Sequence, residues 1–161
     1  VLLLLLRHGI AEDAGPATGY RDDSRALTPD GVARMRRAAR GMAALGMAPE
    51  LILTSPLTRC LQTARIVQET LGGSLEDDPR LAPGMTLERL ADAVADRGSP
   101  SRVLACGHQP SMSRVTAELI GGGEVDFRKG TLAVLEVDAM RPRGAVLRAL
   151  YPPSALRRLT A

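Results

Sequence analysis

The chain has 161 residues, 45% of them hydrophobic and 24% charged, with a formal net charge of +3. That length suits a single domain, residues 1–161, with a substantial core. Aromatic residues make up only 2%, too few for a base-stacking surface, and the cations, all arginine except Lys129, are dispersed, so no nucleic-acid partner is expected.

Val1 to Leu6 is a continuous apolar run, the pattern of a strand buried on both faces. It is too short to span a membrane and lacks the layout of a signal peptide, so no membrane partner and a cytoplasmic location are expected. The run ends on Arg7-His8-Gly9. Residues 11–27 are rich in Gly, Asp and Ala and read as a surface loop. Thr28 and Pro29 supply the cap and first position of a helix running to about Leu45 and stopped by Gly46. A second strand is predicted at Leu51–Thr54. Ser55-Pro56 then repeats the helix-start signal, with Ser55 as the expected cap, and Gly72-Gly73 closes that helix. A short strand near Ser74–Glu76 leads to a helix capped by Thr86. The strand predicted at Arg102–Cys106 ends on Gly107-His108-Gln109-Pro110, and a helix follows from Ser111 to about Ile120. Residues 131–138 and 145–151 read as two strands joined by "AMRPRG" with no helix between them, hence a hairpin. Cys60 and Cys106 make no disulfide framework and read as small buried hydrophobes of a reducing compartment.

Strands alternating with helices predict a three-layer α/β/α sandwich with a mixed, largely parallel central sheet. Ligands of such sheets bind at the carboxyl ends of the strands. Both histidines of the chain fall just after predicted strands, with Arg7 beside one and Arg59 on the first turn after another strand. Any one of these residues alone has an ordinary reading: a hydrogen-bonded structural histidine, a solvated arginine, or, at Gly9 and Gly107, a turn glycine supplying permissive backbone angles. Their convergence on one sheet edge points to phosphoryl transfer. A neutral imidazole can carry a phosphoryl group covalently. Arginine forks neutralise the charge spread over the transferred oxygens. Gly9 leaves room beside the reacting ring. No cluster of His, Cys and carboxylates has metal-ligand spacing, so neither a metal nor a cofactor is expected.

"LRHG" at 6–9, "SPLTRCLQTA" at 55–64 and "GHQP" at 107–110 together resemble the histidine phosphatase superfamily, the phosphoglycerate mutase-like fold. The resemblance implies that His8 is the phosphorylated histidine and that Arg7, Arg59 and His108 complete the catalytic and phosphate-binding set, with Gly9 beside them. The short chain, "LTPDG" at 27–31 and "LAPG" at 81–84 resemble the SixA branch of phosphohistidine phosphatases. Larger members carry a glutamate general acid after the third strand. Here that region reads "LEDDPRLAPGMT", without a matching glutamate, and Glu76, Asp77 and Asp78 are expected at the surface. The implied function is a metal-independent phosphatase acting on the phosphohistidine of a partner protein. The alternatives are a small-molecule phosphomonoesterase of the same fold and a phosphate- or phosphoprotein-binding module without turnover. The segment from Thr18 to Arg25 is a candidate lip over the pocket.

Overall fold

β1 (Leu2–Arg7) is the strand around which the sheet is organised. In the computed structural model, which describes residues 1–160, it pairs in parallel with β4 (Arg102–Gly107) and antiparallel with β5 (Leu132–Val137). β2 (Leu51–Thr54) lies parallel to β4 and to β3 (Ser74–Asp77), and β6 (Ala145–Tyr151) closes the far edge antiparallel to β5. The order is β3-β2-β4-β1-β5-β6, a mixed sheet whose first four strands are parallel. The carboxyl ends of β1, β2 and β4 therefore share one edge.

The pleat explains the leucine run. Leu3 and Leu5 enter one core with α3 (Leu87–Ala95) and α4 (Ser111–Ile120), while Leu4 and Leu6 enter the other with α1 (Pro29–Ala44), α2 (Thr58–Leu71) and α5 (Pro153–Arg158). Successive side chains of a strand face opposite layers, so a strand covered on both sides is apolar at every position. The result is the expected three-layer sandwich.

α1 starts where Thr28 and Pro29 place it, with the Thr28 hydroxyl accepting from the Gly31 amide at 2.8 Å. Its buried face is Met35, Ala38, Ala39 and Met42, the spacing of one helical stripe. Two glycines bring backbone against this helix. A Cβ at Gly31 would stand 2.2 Å from the Ile10 carbonyl oxygen, and one at Gly41 would stand 2.0 Å from that of Leu156. Gly31 thus seats the chain leaving β1, and Gly41 seats α5.

Three local expectations need correction. α2 begins at Thr58 with Leu57 at the cap position, rather than at Pro56 behind a Ser55 cap: the Ser55 hydroxyl accepts from the Leu57 amide and is engaged by His108. Asp78 is not a surface carboxylate: it is buried and pairs with Arg80 and Arg97, both at 2.8 Å, while Glu76 and Asp77 are exposed as expected. Gly9 and Gly107 do not adopt positive φ. At Gly107 the constraint is space, since a Cβ would meet the Met112 methyl at 2.6 Å. Among the described residues, no helix is long and apolar enough to cross a membrane.

Candidate active site

β1 and β4 deliver their histidines to the same place. His8 and His108 are both buried, with ring centroids 5.5 Å apart and planes tilted by 58°. Arg59, on the first turn of α2, lies between them and is only 5% exposed. Its Nε–H donates to His8 Nε2 at 3.3 Å, and its Nη2 donates to His108 Nδ1 at 3.3 Å.

This network assigns the tautomer of His8. Guanidinium nitrogens only donate, so Nε2 must carry a lone pair. The other ring nitrogen, Nδ1, sits 2.7 Å from the Gly9 carbonyl oxygen, which only accepts, so the proton is on Nδ1. His8 is therefore a neutral imidazole held by its back nitrogen, with the Nε2 lone pair facing Arg59. Burial is the main reason its pKa falls from the ordinary 6.5 to about 3. The Gly9 carbonyl opposes that shift, and the neighbouring Arg59, His108 and Arg7 add to it.

The other side chains hold these rings in place. His108 Nε2 is 2.7 Å from the Ser55 hydroxyl and 3.5 Å from Cys60 Sγ. With Nδ1 accepting from Arg59, Nε2–H donates to Ser55. Burial alone would raise the Cys60 thiol, but Cys106, His108 and Arg59 beside it outweigh that and lower it. Thr63 accepts from the Gly9 amide at 3.1 Å and donates to the Arg59 carbonyl at 2.7 Å, stapling the end of β1 to α2. Arg7 donates from Nη1 to the Phe127 carbonyl at 2.9 Å, while its buried Nε has no partner.

Arg7, His8, Arg59 and His108 line one cleft of about 300 Å³, together with Asp22, Arg25, Pro83, Gln109 and Lys129. The four charged and imidazole residues expected from the sequence are brought together. Gly9 is not part of this lining: its amide is taken by Thr63, and its carbonyl orients His8. Gln109 caps α4, its side-chain oxygen accepting from the Ser113 amide at 3.0 Å.

The sequence pattern does not point to Asp22. The 11–27 segment folds back onto the site, with Ala11 bridged to Leu27 and a short helical turn at Asp22–Ser24. The Asp22 carbonyl accepts from Arg59 Nη1 at 2.9 Å, and its carboxylate accepts from Arg59 Nη2 at 3.2 Å and Arg25 Nη1 at 3.0 Å. Arg25 first, then Arg59, hold that carboxyl below the usual range against the opposing effect of desolvation. Asp22 is thus an ionised carboxylate on guanidinium donors that an oxyanion would use, and it is the one carboxylate among the residues that line the cleft. No group of three or more His, Cys, Asp or Glu among the described residues could hold a metal ion.

The fold and the pocket define an α/β-sandwich protein in which two strand-end histidines and the arginines around them line one cationic cleft. Residues 3–83 match the model of the histidine phosphatase superfamily (branch 1), and the chain belongs to that superfamily. The matched segment holds Arg7, His8 and Arg59, and His108 lies beyond it. An uncharacterized protein of Picosynechococcus is 37% identical over 125 residues, covering 76% of this chain and 74% of its own. A chloroplastic uncharacterized protein of Arabidopsis thaliana is 27% identical over 145 residues, 83% of this chain but 65% of that relative. The 2,3-bisphosphoglycerate-dependent phosphoglycerate mutase of Azorhizobium caulinodans is 41% identical over 73 residues, 44% of this chain and 34% of the mutase. In solved structures, the protein histidine phosphatase SixA complexed with tungstate shares the fold at a TM-score of 0.81 and 24% identity, with 97% and 99% of the two chains covered. A chain of Agrobacterium tumefaciens assigned as the phosphohistidine phosphatase SixA superposes at a TM-score of 0.78 with 28% identity, covering 94% and 97%.

Proposed function

We propose that this chain is a metal-independent phosphatase that removes the phosphoryl group from phosphohistidine on a partner protein, with a phosphohistidine on His8 as its own intermediate. The observation that carries this reading is the tautomer of His8. Its Nδ1–H is committed to the Gly9 carbonyl, so the lone pair is on Nε2, at the cleft. The depressed pKa keeps that lone pair available through the neutral range. In the first step Nε2 attacks phosphorus. The bond from phosphorus to the substrate's imidazole nitrogen breaks, its electron pair stays on that nitrogen, and solvent supplies the proton. In the second step water attacks phosphorus, loses a proton to solvent and releases phosphate, and His8 recovers its lone pair. Arg7 and Arg59 neutralise the charge on the transferred oxygens throughout, and His108 joins them once it takes a proton on Nδ1 as the phosphoryl group draws Arg59 away, a role that preorganised donors perform at little reorganisation cost.

A phosphoramidate is the substrate class that this cleft favours. The lining contains no protonated carboxyl: Asp22 is held ionised by Arg25 and Arg59. A leaving alkoxide would depart without an internal acid, forfeiting on the order of 10²–10⁴ in rate. An imidazole leaving group tolerates that absence. The similarity to SixA structures supports the same choice. The test is kcat/KM for phosphohistidine, aryl phosphates and alkyl phosphates of graded leaving-group pKa, with chemistry shown to be rate-limiting. A steep dependence, with phosphohistidine and aryl esters turned over and alkyl esters poor, is expected. A flat dependence means that an acid operates in the cleft and removes the argument for phosphohistidine. Trapping with labelled substrate should give an acid-labile phosphoenzyme that His8→Ala lacks, and a phosphoenzyme persisting in that variant would reassign the nucleophile.

A further inference from the structure

Beside the phosphate cleft runs a second, larger one of about 560 Å³, and the two share Arg7 and Lys129. Its walls carry Arg34 from α1, Arg128 and Lys129 from the segment before β5, and Arg157 from α5. Its floor is apolar, with Ile10, Met35, Ala38 and Pro153. No Asp or Glu is among the lining residues. Arg34 meets Asp30 at 2.8 Å and Arg128 reaches Asp126 at 3.7 Å, but Lys129 and Arg157 have no carboxylate within ion-pair distance among the described residues. Burial first, then the charges of Arg34 and Arg37, lower the Arg157 pKa, with Asp30 opposing. The lining itself carries Arg7, Arg34, Arg128, Lys129 and Arg157 with no acid among them, so this wall is positive. The buried Arg7 Nε, unpartnered in the protein, belongs to the residue that joins the two clefts.

We propose that this second cleft docks an acidic segment of the protein whose phosphohistidine enters the first. The inference rests on the proposed phosphohistidine activity and names the kind of protein that presents the group. Charge complementarity sets the sign of the ligand. Shared walls mean that whatever fills the second cleft lies next to the phosphoryl group, in the chain or in the fold that carries it. The apolar floor and the lack of any aromatic side chain in the lining favour aliphatic and carboxylate side chains over a nucleotide base. Arg34 and Arg157 lie outside the phosphate cleft, so they act on docking and not on the reacting atoms.

Two readouts test this. The first is fluorescence anisotropy of a labelled, unphosphorylated octapeptide with a central histidine between glutamates and aspartates. The second is kcat/KM for three substrates: the phosphohistidine form of that peptide, a phosphohistidine peptide with neutral flanks, and p-nitrophenyl phosphate. Wild type should bind the acidic peptide and prefer its phosphorylated form, with both effects fading as salt rises. Combining Arg34→Glu with Arg157→Glu should weaken binding roughly tenfold, the sum of two partly exposed charge contacts. It should leave the neutral peptide and p-nitrophenyl phosphate unchanged, which also reports that the variant folds. Arg34→Gln with Arg157→Gln should fall between the two. Equal turnover of acidic and neutral peptides by wild type overturns the proposal. So does a loss shared by all three substrates, or displacement of the peptide by inorganic pyrophosphate at far lower concentration, which would make this a site for a small polyanion. Peptide binding without turnover of either phosphohistidine peptide, while p-nitrophenyl phosphate is hydrolysed, supports the docking site and refutes the phosphohistidine reading instead.

Discussion

The low pKa of His8 should make the native protein lose stability as the solution is acidified, and by a calculable amount. In the unfolded chain His8 takes up a proton near pH 6.5, while in the native protein burial and the surrounding cations hold protonation off until about pH 3. Between these values the unfolded state binds more protons, so stability rises with pH and is lost as pH falls. Above pH 6.5 the group is neutral in both states and contributes nothing. Below it the penalty approaches about 1.4 kcal/mol per pH unit. From pH 6.5 to 5.0 the integrated loss is about 1.5 kcal/mol, part of that interval being spent on partial titration of the unfolded chain. The measurement is urea unfolding of the wild type and of His8→Gln at both pH values. Carboxylates titrate alike in the two proteins and cancel in the comparison. The wild type should lose about 1.5 kcal/mol more than the variant. Equal losses, or an imidazole resonance of His8 titrating near 6.5, would refute both the buried-neutral assignment and the nucleophile argument built on it. Bound tungstate should raise the His8 pKa, because an oxyanion replaces the repulsion of Arg59, His108 and Arg7 by attraction.

Arg59→Ala should lower kcat by roughly 10²–10³, and Arg59→Lys should restore only part of it, because one ammonium cannot serve His8, His108 and an oxyanion together; full activity in Arg59→Lys would deny the fork its role. Asp22→Asn should tighten tungstate or phosphate binding by about 1.5- to 5-fold, the worth of one exposed ion pair released from Arg59, and isothermal titration showing unchanged or weaker binding would count against a competing carboxylate. Gly41→Ala should destabilise the protein by about 1–3 kcal/mol, since its methyl group would collide with the Leu156 carbonyl, and a thermal midpoint matching wild type would mean that α5 moves away freely. Turnover should persist in excess EDTA, and loss on chelation reversed by a divalent ion would overturn metal independence.

The legible part of this molecule is what local chemistry encodes. Leucine at every position of β1 requires cover on both faces, and Thr28-Pro29 and Thr86 cap helices that begin where they stand. His8, Arg59 and His108 can be placed together because each follows a parallel strand, and parallel strands end on one edge. What stayed hidden depends on tertiary contacts. Ser55-Pro56 has the form of a helix start, but the Ser55 hydroxyl meets the His108 ring, a partner that local sequence does not show. Asp78 looks like its exposed neighbours until Arg80 and Arg97, the latter distant in sequence, close over it. The 11–27 segment has no periodicity: its place after the first motif suggests the lip at Thr18–Arg25, but that it sets the Asp22 carboxylate on Arg59 shows only in its hydrogen bonds. Pro152-Pro153, the one local sign of α5, marks a short helix whose docking depends on Gly41, far away in the chain.

Asp22 connects the electrostatics of the cleft to its chemistry. Arg7, Arg25, Arg59 and Lys129 converge on a small volume around two histidines. Such crowding repels protons from His8, as the nucleophilic role proposed for it requires, but it also sets the cations against one another. The Asp22 carboxylate answers part of that charge from a loop, at a side chain 60% exposed. A pair so open to water is worth little, so an arriving phosphoryl group, which brings more charge and more oxygens, can take the same donors from it. An internal anion of this kind suits the proposed phosphatase better than a buried one would. A carboxylate fixed in the core would compete too well, and with no anion at all the empty cleft would hold its cations unopposed. The same exposure and the same arginines keep Asp22 ionised, so the residue that stands in for the substrate's oxygens is unsuited to protonating its leaving group.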